Sequence, residues 1–314
     1  MADPARSFAV VRVRGGARAT DVDRAATEEP LEIRLHGRPF AVVMRTPGAD
    51  RELAAGFLLA EQVLGSADDL GTIEYCTNPT TRQGAQRTLN PTPDDVASDD
   101  GPRAFLPSRE ASADRRTPGG GGPASGVENI VNVTLTDQSR VERAFGARRQ
   151  VDVNASCGLC GRLTIESLMI DAAPIGAAWT MSAAIVAALP QRLRRAQAVF
   201  DETGGLHASG LFTAEGVLAE LAEDVGRHNA VDKVVGRMLL REALPASDYA
   251  LCVSGRTSFE IVQKALLAGI PIVAAVSAPS SLAIDLAERS GITLVGFVRG
   301  DSFNIYAHPD RITG

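Results

Sequence analysis

The sequence predicts an α/β protein, with a smaller α+β region preceding the main sheet, and three observations carry that prediction. Residues 249–298 alternate short apolar runs with amphipathic stretches in the order β-α-β-α-β. Such alternation gives a parallel sheet with right-handed crossovers and helices on its faces. Residues 31–64 instead carry a hairpin pattern followed by one amphipathic helix, and the 314-residue chain is long enough for two domains.

Taken in order, residues 1–29 are rich in Arg, Ala and acidic side chains without clear periodicity, and they read as a mobile or edge-pairing lead-in before order begins near Pro30. Leu31–Leu35 alternates, His36-Gly37-Arg38-Pro39 supplies turn chemistry and Phe40–Met44 returns, which predicts a hairpin. Leu53, Phe57, Leu58, Val63 and Leu64 stand at helical spacing over Asp50–Leu64, between Gly48 and Gly65. From Asn90 to Gly126 the chain holds six prolines, six glycines and the run Gly119–Gly122. It buries too little apolar surface to offset its ordering entropy, so a disordered insertion is expected there. Ile130–Leu135 predicts a strand, closing an N-terminal α+β domain over 30–150.

A cysteine loop and linker follow over 151–179, with a helix expected around 162–170, and then an α/β domain over 180–314. Its helix over Thr180–Ala196 contains Pro190, which is expected to kink or split it. Thr203–Phe212 reads as a turn feeding a strand, with Val217–Ala222 as its hairpin partner. Asp224 is a candidate cap for the helix Arg227–Leu240, whose Val231, Val234, Val235, Met238 and Leu239 form one apolar face. In parallel sheets ligands bind outside the carboxyl ends of the strands. Those ends are 254–258, 277–281 and 299–302, three loops of small, hydroxylated and glycine residues, two of them carrying an arginine. Each alone is explained by ordinary helix capping. As a set they fit either ordinary capping or a phosphate cradle to which Ser254, Arg256 and Thr257 would belong.

Composition bounds the function. With 45% hydrophobic residues, 22% charged residues and a net charge of −6, the chain lacks the basic surplus of a protein whose main partner is nucleic acid. It contains no apolar run of about 18 residues, and Met1–Arg6 does not begin a signal peptide. A cytoplasmic protein without a membrane partner is expected. Four cysteines in such a chain do not make a disulfide framework, and a reducing compartment leaves thiols free.

Two of those cysteines stand in Asn154-Ala155-Ser156-Cys157-Gly158-Leu159-Cys160-Gly161. Cys-x-x-Cys loops lower a thiol pKa from ~8.5 into a range of roughly 3.5–7.5, and Gly158 and Gly161 let backbone N–H groups turn toward a sulfur anion. Three chemistries fit. A structural zinc site needs a second Cys/His pair, whereas Cys76, Cys252, His36, His207, His228 and His308 are scattered singly. A thioredoxin-type dithiol needs a buried strand before the first cysteine, and 150–153 is a short, polar candidate. A persulfide carrier needs an exposed, activated thiol. A second cluster, Glu223–Asn229, places Arg227 and His228 at a helix start, where the dipole disfavours cations. That makes His228 a candidate proton donor or ligand contact.

Four motifs, in order, carry a resemblance: Cys157-Gly-Leu-Cys160-Gly, Glu223-Asp-Val-Gly-Arg-His-Asn-Ala-Val-Asp-Lys233, Ser254-Gly-Arg-Thr-Ser-Phe-Glu-Ile-Val-Gln-Lys264, and Leu294-Val-Gly-Phe-Val-Arg299 with Tyr306-Ala-His-Pro309. From Pro30 to Ile312, apart from 90–126, the chain resembles the formate dehydrogenase accessory sulfurtransferase family, FdhD. The resemblance implies a sulfur relay from a cysteine desulfurase to the molybdenum bis(molybdopterin guanine dinucleotide) cofactor. That cofactor is bound transiently before it enters formate dehydrogenase. The resemblance further implies that Cys157 carries the persulfide with Cys160 assisting, and that Phe297, Val298, Arg299, Gly300, Asp301 and Ser302 form the cofactor-binding stretch. Asp301 departs from a more basic version of that stretch, which shifts weight onto backbone N–H groups. A homodimer and a cytidine-deaminase-like three-layer αβα C-terminal domain are implied as well. Zinc deaminase chemistry is not expected, because Arg227-His228-Asn229 and Ser254–Ser258 occupy the places of the metal ligands. Two other functions fit the same residues: a non-catalytic chaperone for the molybdenum cofactor, and a thioredoxin-like oxidoreductase.

Overall fold

The computed structural model describes residues 3–76, 129–146 and 172–314. The chain divides into two units, residues 1–75 with 129–314, and residues 76–128. Only Cys76 of the second is described, so the architecture below is that of the first. The expected insertion at 90–126, the cysteine loop with Cys157 and Cys160, and the expected helix at 162–170 lie outside the described residues.

Strands β1 (Ala5–Arg14) and β2 (Ala17–Ala26) pair antiparallel along their whole length, Ala5 opposite Ala26 and Arg14 opposite Ala17. This corrects the lead-in expected over residues 1–29. Order begins at Ala5, and the pattern escaped reading because both faces of the ribbon are exposed, so its alternating valines never mark a buried side. The chain then forms β3 (Glu29–Leu35), β4 (Arg38–Arg45), α1 (Asp50–Ala60) and β5 (Leu70–Tyr75), and after the second unit β6 (Ile130–Leu135) and α2 (Gln138–Gly146). The β3–β4 turn has positive φ at His36 and Gly37, the geometry of a two-residue hairpin. The four strands lie in the order β4-β3-β6-β5, and Leu31, Ile33 and Leu35 of β3 point into the core.

The rest of the chain builds the larger sheet. Its elements are β7 (Met181–Ser182), α3 (Ala183–Ala196), α4 (Ala198–Thr203), β8 (His207–Phe212), β9 (Leu218–Asp224), α5 (Arg227–Leu240) and β10 (Ala250–Val253). They are followed by α6 (Phe259–Leu267), β11 (Ile272–Ala275), α7 (Ser281–Ser290), β12 (Thr293–Arg299), β13 (Ser302–Ala307) and β14 (Ile312–Thr313). The order is β13-β12-β11-β10-β8-β9. The central β10, β11 and β12 are parallel, as the alternation predicts, whereas β13 and the β8–β9 hairpin join antiparallel on the two sides. Every residue of β10 and β11 is buried, because helices cover both faces. Ala250, Cys252, Ile272 and Ala274 meet Val186, Leu189 and Leu193 of α3 on one face. Leu251, Val253, Val273 and Ala275 share the other with α5, α6 and α7. The second core also takes in Leu31, Ile33 and Val131 of the four-stranded sheet.

Helix α3 runs through Pro190 without a break. The ring removes one intrahelical hydrogen bond and the flanking turns hold. Helix α5 crosses α1 at two glycines, Gly236 and Gly56, where any Cβ would strike the opposing backbone. Downstream of residue 171 the chain returns as an extended strap over 172–180, and Arg311 fastens it. Arg311 donates to the carbonyl oxygens of Ile175 (3.0 Å), Ala177 (3.0 Å) and Gly291 (2.8 Å), and to Thr293 Oγ1 (3.2 Å). Trp179 Nε1 adds a bond to Ser247 O at 2.6 Å. Among the described residues no helix is long and apolar enough to cross a membrane.

Candidate functional site

A cleft of about 1040 Å³ opens at the carboxyl ends of β10, β11 and β12 and runs under α3 and α4. Of the residues picked out in the sequence, Ser254, Val298, Arg299, Gly300 and Asp301 line it. The β12–β13 connection reaches this position through an irregularity between Gly296 and Arg299, with Phe297 at φ 54° and Gly300 at φ 61°. These left-handed conformations turn Arg299 toward the cleft, and among the described residues only a weak 3.4 Å bond from its Nε to Val276 O engages the guanidinium. The other predicted residues stand aside. Phe297 is 38% exposed and Ser302 Oγ donates to Arg299 O at 3.1 Å. Arg256 points outward. Thr257 is buried, its N–H bonded to Ala278 O and its carbonyl to Ser280 N–H. It holds the second loop against the first.

The opposite wall comes from α3 and α4, which the sequence reading did not connect with the site. Arg194 pairs with Asp201 at 2.5 Å and lies 4.5 Å from the centre of the Phe200 ring. Gln197, only 3% exposed, lines the cleft, and its Nε2 has no hydrogen-bond partner among the described residues. A buried unpaired donor costs on the order of 1–3 kcal/mol, and a ligand acceptor in the cleft would recover that. Helix α4 is itself positioned by Glu223, whose carboxylate accepts the N–H groups of Phe200 (2.8 Å) and Val199 (3.1 Å).

His207 is the cleft residue most easily missed. It opens β8, and because β8 runs antiparallel to β10 its amino end meets the carboxyl end of β10. The neighbouring Ser254 is fixed by two backbone bonds, Ala208 N–H to Ser254 Oγ (2.9 Å) and Ser254 N–H to Ala208 O (3.0 Å). A Cβ on Gly255 would stand 3.5 Å from His207 Nδ1 and 3.6 Å from Arg227 Cδ. Burial lowers the His207 pKa from 6.5, and the charges of Arg227 and then His228 lower it further against the opposing pull of Asp224. The imidazole is therefore neutral at pH 7.

His228, the histidine singled out in the sequence, is buried between α5 and α6 and does not line the cleft. Its Nε2 lies 2.8 Å from Glu260 Oε2 and 3.0 Å from Ser258 Oγ. Asp224, Asp232 and Lys233 of its motif are also buried, whereas Arg227 and Asn229 are partly exposed. Asp224, fully buried, accepts from Thr46 N–H (3.1 Å), Gly226 N–H (2.8 Å) and Asn229 Nδ2 (2.9 Å) and pairs with Lys233 at 2.7 Å. It organises the turn before α5, while Gly226 occupies the cap position. Asp232 pairs with Lys264, and burial raises its pKa against that partner. Of the described thiols, Cys252 lies inside β10, its pKa pushed up to about 12 by burial, which keeps it a protonated, unreactive side chain.

The FdhD/NarQ family profile matches residues 26–313. The chain is 48% identical to the sulfur carrier protein FdhD of Streptomyces avermitilis, over 96% of this chain and 94% of that protein. It is 43% identical to the sulfur carrier protein FdhD of Mycobacterium tuberculosis, over 94% and 93% respectively. Among solved structures, a Desulfotalea psychrophila protein described as a formate dehydrogenase accessory protein superposes with a TM-score of 0.68 at 24% identity, covering 99% of this chain and 100% of that one. At that identity the agreement concerns the fold.

Proposed function

This chain belongs to the FdhD/NarQ family, and on that premise we propose that it is a sulfur carrier in which Cys157 holds a persulfide. The Cys157 thiolate attacks the persulfide of a cysteine desulfurase. A bond forms between Cys157 Sγ and the terminal sulfur, and the desulfurase thiolate leaves. Cys160 assists as the neighbouring thiol. The S–S bond then breaks, Cys157 leaves as thiolate, and the outer sulfur passes as sulfide to molybdenum in the bis(molybdopterin guanine dinucleotide) cargo, the substrate metal supplying the two electrons on its way to formate dehydrogenase. The protein works as a homodimer in the cytoplasm, and the six-stranded unit is read as a cytidine-deaminase-like fold.

The observation that supports the cargo reading is the cleft, where Ser254, Arg299, Gly300 and Asp301 converge from two strand ends on one cavity. An arginine whose guanidinium makes one long bond among the described residues, beside a glycine at positive φ, suits phosphate oxygens. The Gln197 amide offers a further donor.

Intact-protein mass spectrometry after incubation with a cysteine desulfurase and cysteine tests the carrier step. The wild type is expected to gain about 32 Da per sulfur, removed by reductant, and Cys157→Ala to gain nothing. Absence of any gain in the wild type overturns the carrier reading and leaves a cofactor-binding chaperone in its place.

A further inference from the structure

Resting on the cargo reading above, we propose that His207 and Arg227 form an anion-receiving corner of the cleft, in which His207 takes up a proton as a phosphate group of the cargo docks. Three features of this corner converge. His207 lines the cleft beside Ser254, whose Oγ accepts the Ala208 N–H. Arg227, whose Cδ would stand 3.6 Å from the same Cβ position on Gly255 that His207 Nδ1 approaches to 3.5 Å, has a buried Nε with no hydrogen-bond partner among the described residues. Gly255 leaves the space between the two side chains without a Cβ.

The charges facing His207 make the coupling directional. Arg227 and His228 both oppose its protonation and Asp224 alone favours it, while burial adds to the opposition. An anion entering between His207 and Arg227 reverses that balance. It supplies a negative partner to both side chains and turns the imidazole into a second charge-assisted donor. Binding and proton uptake are then linked, so affinity for the anion rises as pH falls toward the free-state pKa of His207. The corner distinguishes phosphate-bearing cargo from a neutral pterin of similar shape, because only an anion recruits the second charge.

Calorimetric titration of the full chain with guanosine diphosphate, in buffers of low and high ionisation enthalpy at pH 7, tests this. The wild type is expected to take up more protons per nucleotide than His207→Gln. Its affinity should fall roughly tenfold more steeply between pH 6 and pH 8 than that of the variant, the effect of a one-unit change in a coupled pKa. A second variant, Arg227→Gln, should bind more weakly and show a smaller uptake, since its free-state imidazole is no longer held neutral by that cation. Equal proton uptake in the wild type and both variants overturns the inference while leaving the cargo reading standing. A wild type that does not bind guanosine diphosphate overturns both, and sulfur gain on Cys157 then decides separately whether the protein is still a carrier.

Discussion

The backbones of Gly56 and Gly236 are in direct contact: a Cβ on Gly236 would stand 2.7 Å from Gly56 N and closer still to Glu52 O, and one on Gly56 would strike Asp232 O. Helices α1 and α5 therefore meet without side chains between them. Gly236→Ala is expected to cost about 3 kcal/mol or more, the upper range for overpacking a closed core. Gly300→Ala, at positive φ but with nothing within 4 Å of the new methyl, should cost only about 1 kcal/mol. Urea denaturation of the two variants checks the contrast, and similar midpoints would refute it.

Asp224 and Lys233 form an ion pair with essentially no solvent contact, and Lys233 Nζ also donates to Thr46 O at 2.8 Å. Removing one partner leaves the other charge buried, so Lys233→Met should lose about 3–5 kcal/mol. The double variant Asp224→Asn, Lys233→Met should lose clearly less than the sum of the single changes. A double-mutant cycle from denaturation midpoints measures the coupling.

Cys252 should resist alkylation in the folded protein at pH 8, since burial holds its thiol near a pKa of about 12. Peptide mapping after brief iodoacetamide treatment is expected to show no label at Cys252 until denaturant is added. Sulfur loading that tracked Cys252 would contradict its inert, internal position.

Stability should fall as pH drops from 7.5 to 5.5 in a way that His207 sets. In the unfolded chain this histidine titrates near 6.5, and in the folded protein burial and Arg227 hold it lower. The unfolded state thus binds more protons within that window, and stability that is full above pH 6.5 is lost as pH falls toward the folded value. His207→Gln should flatten this part of the profile, measured by denaturant midpoints at each pH. An unchanged slope would show that other groups set it.

Arg299→Ala should weaken guanosine diphosphate binding roughly tenfold, the value of one charge-assisted contact. Arg256→Ala, whose side chain points outward, should change it little. Fluorescence or calorimetric binding separates the two arginines, which their motifs alone do not.

The parallel core was legible because Leu251, Val253, Ile272, Val273 and Leu294 leave the sequence no polar face to hide, and covered strands read as continuous apolar runs. The β1–β2 ribbon was not, since Val11, Val13 and Val22 are exposed and interleaved with arginines. Short polar strands such as β5, with only Ile73 buried, gave too little signal. In the site, the strand-end loops carrying Ser254 and Arg299 followed from topology. His207 did not, because its place beside β10 depends on an antiparallel pairing that periodicity cannot encode. The Glu223–Lys233 motif reads as a charged helix start, yet Asp224 and Lys233 are joined to each other and to Thr46, a residue 178 positions from Asp224. Pairing at that range is invisible to local reading.

Arg311 lies downstream of everything it fastens, and that order has a consequence for biosynthesis. A nascent chain that has not yet produced Arg311 lacks the side chain that clamps the 172–180 strap to Gly291 and Thr293. The β7–β14 pairing also waits for residues 312 and 313. The 172–180 strap is therefore fastened last. Every strand of the six-stranded sheet is thus synthesised before the strap can be clamped onto it.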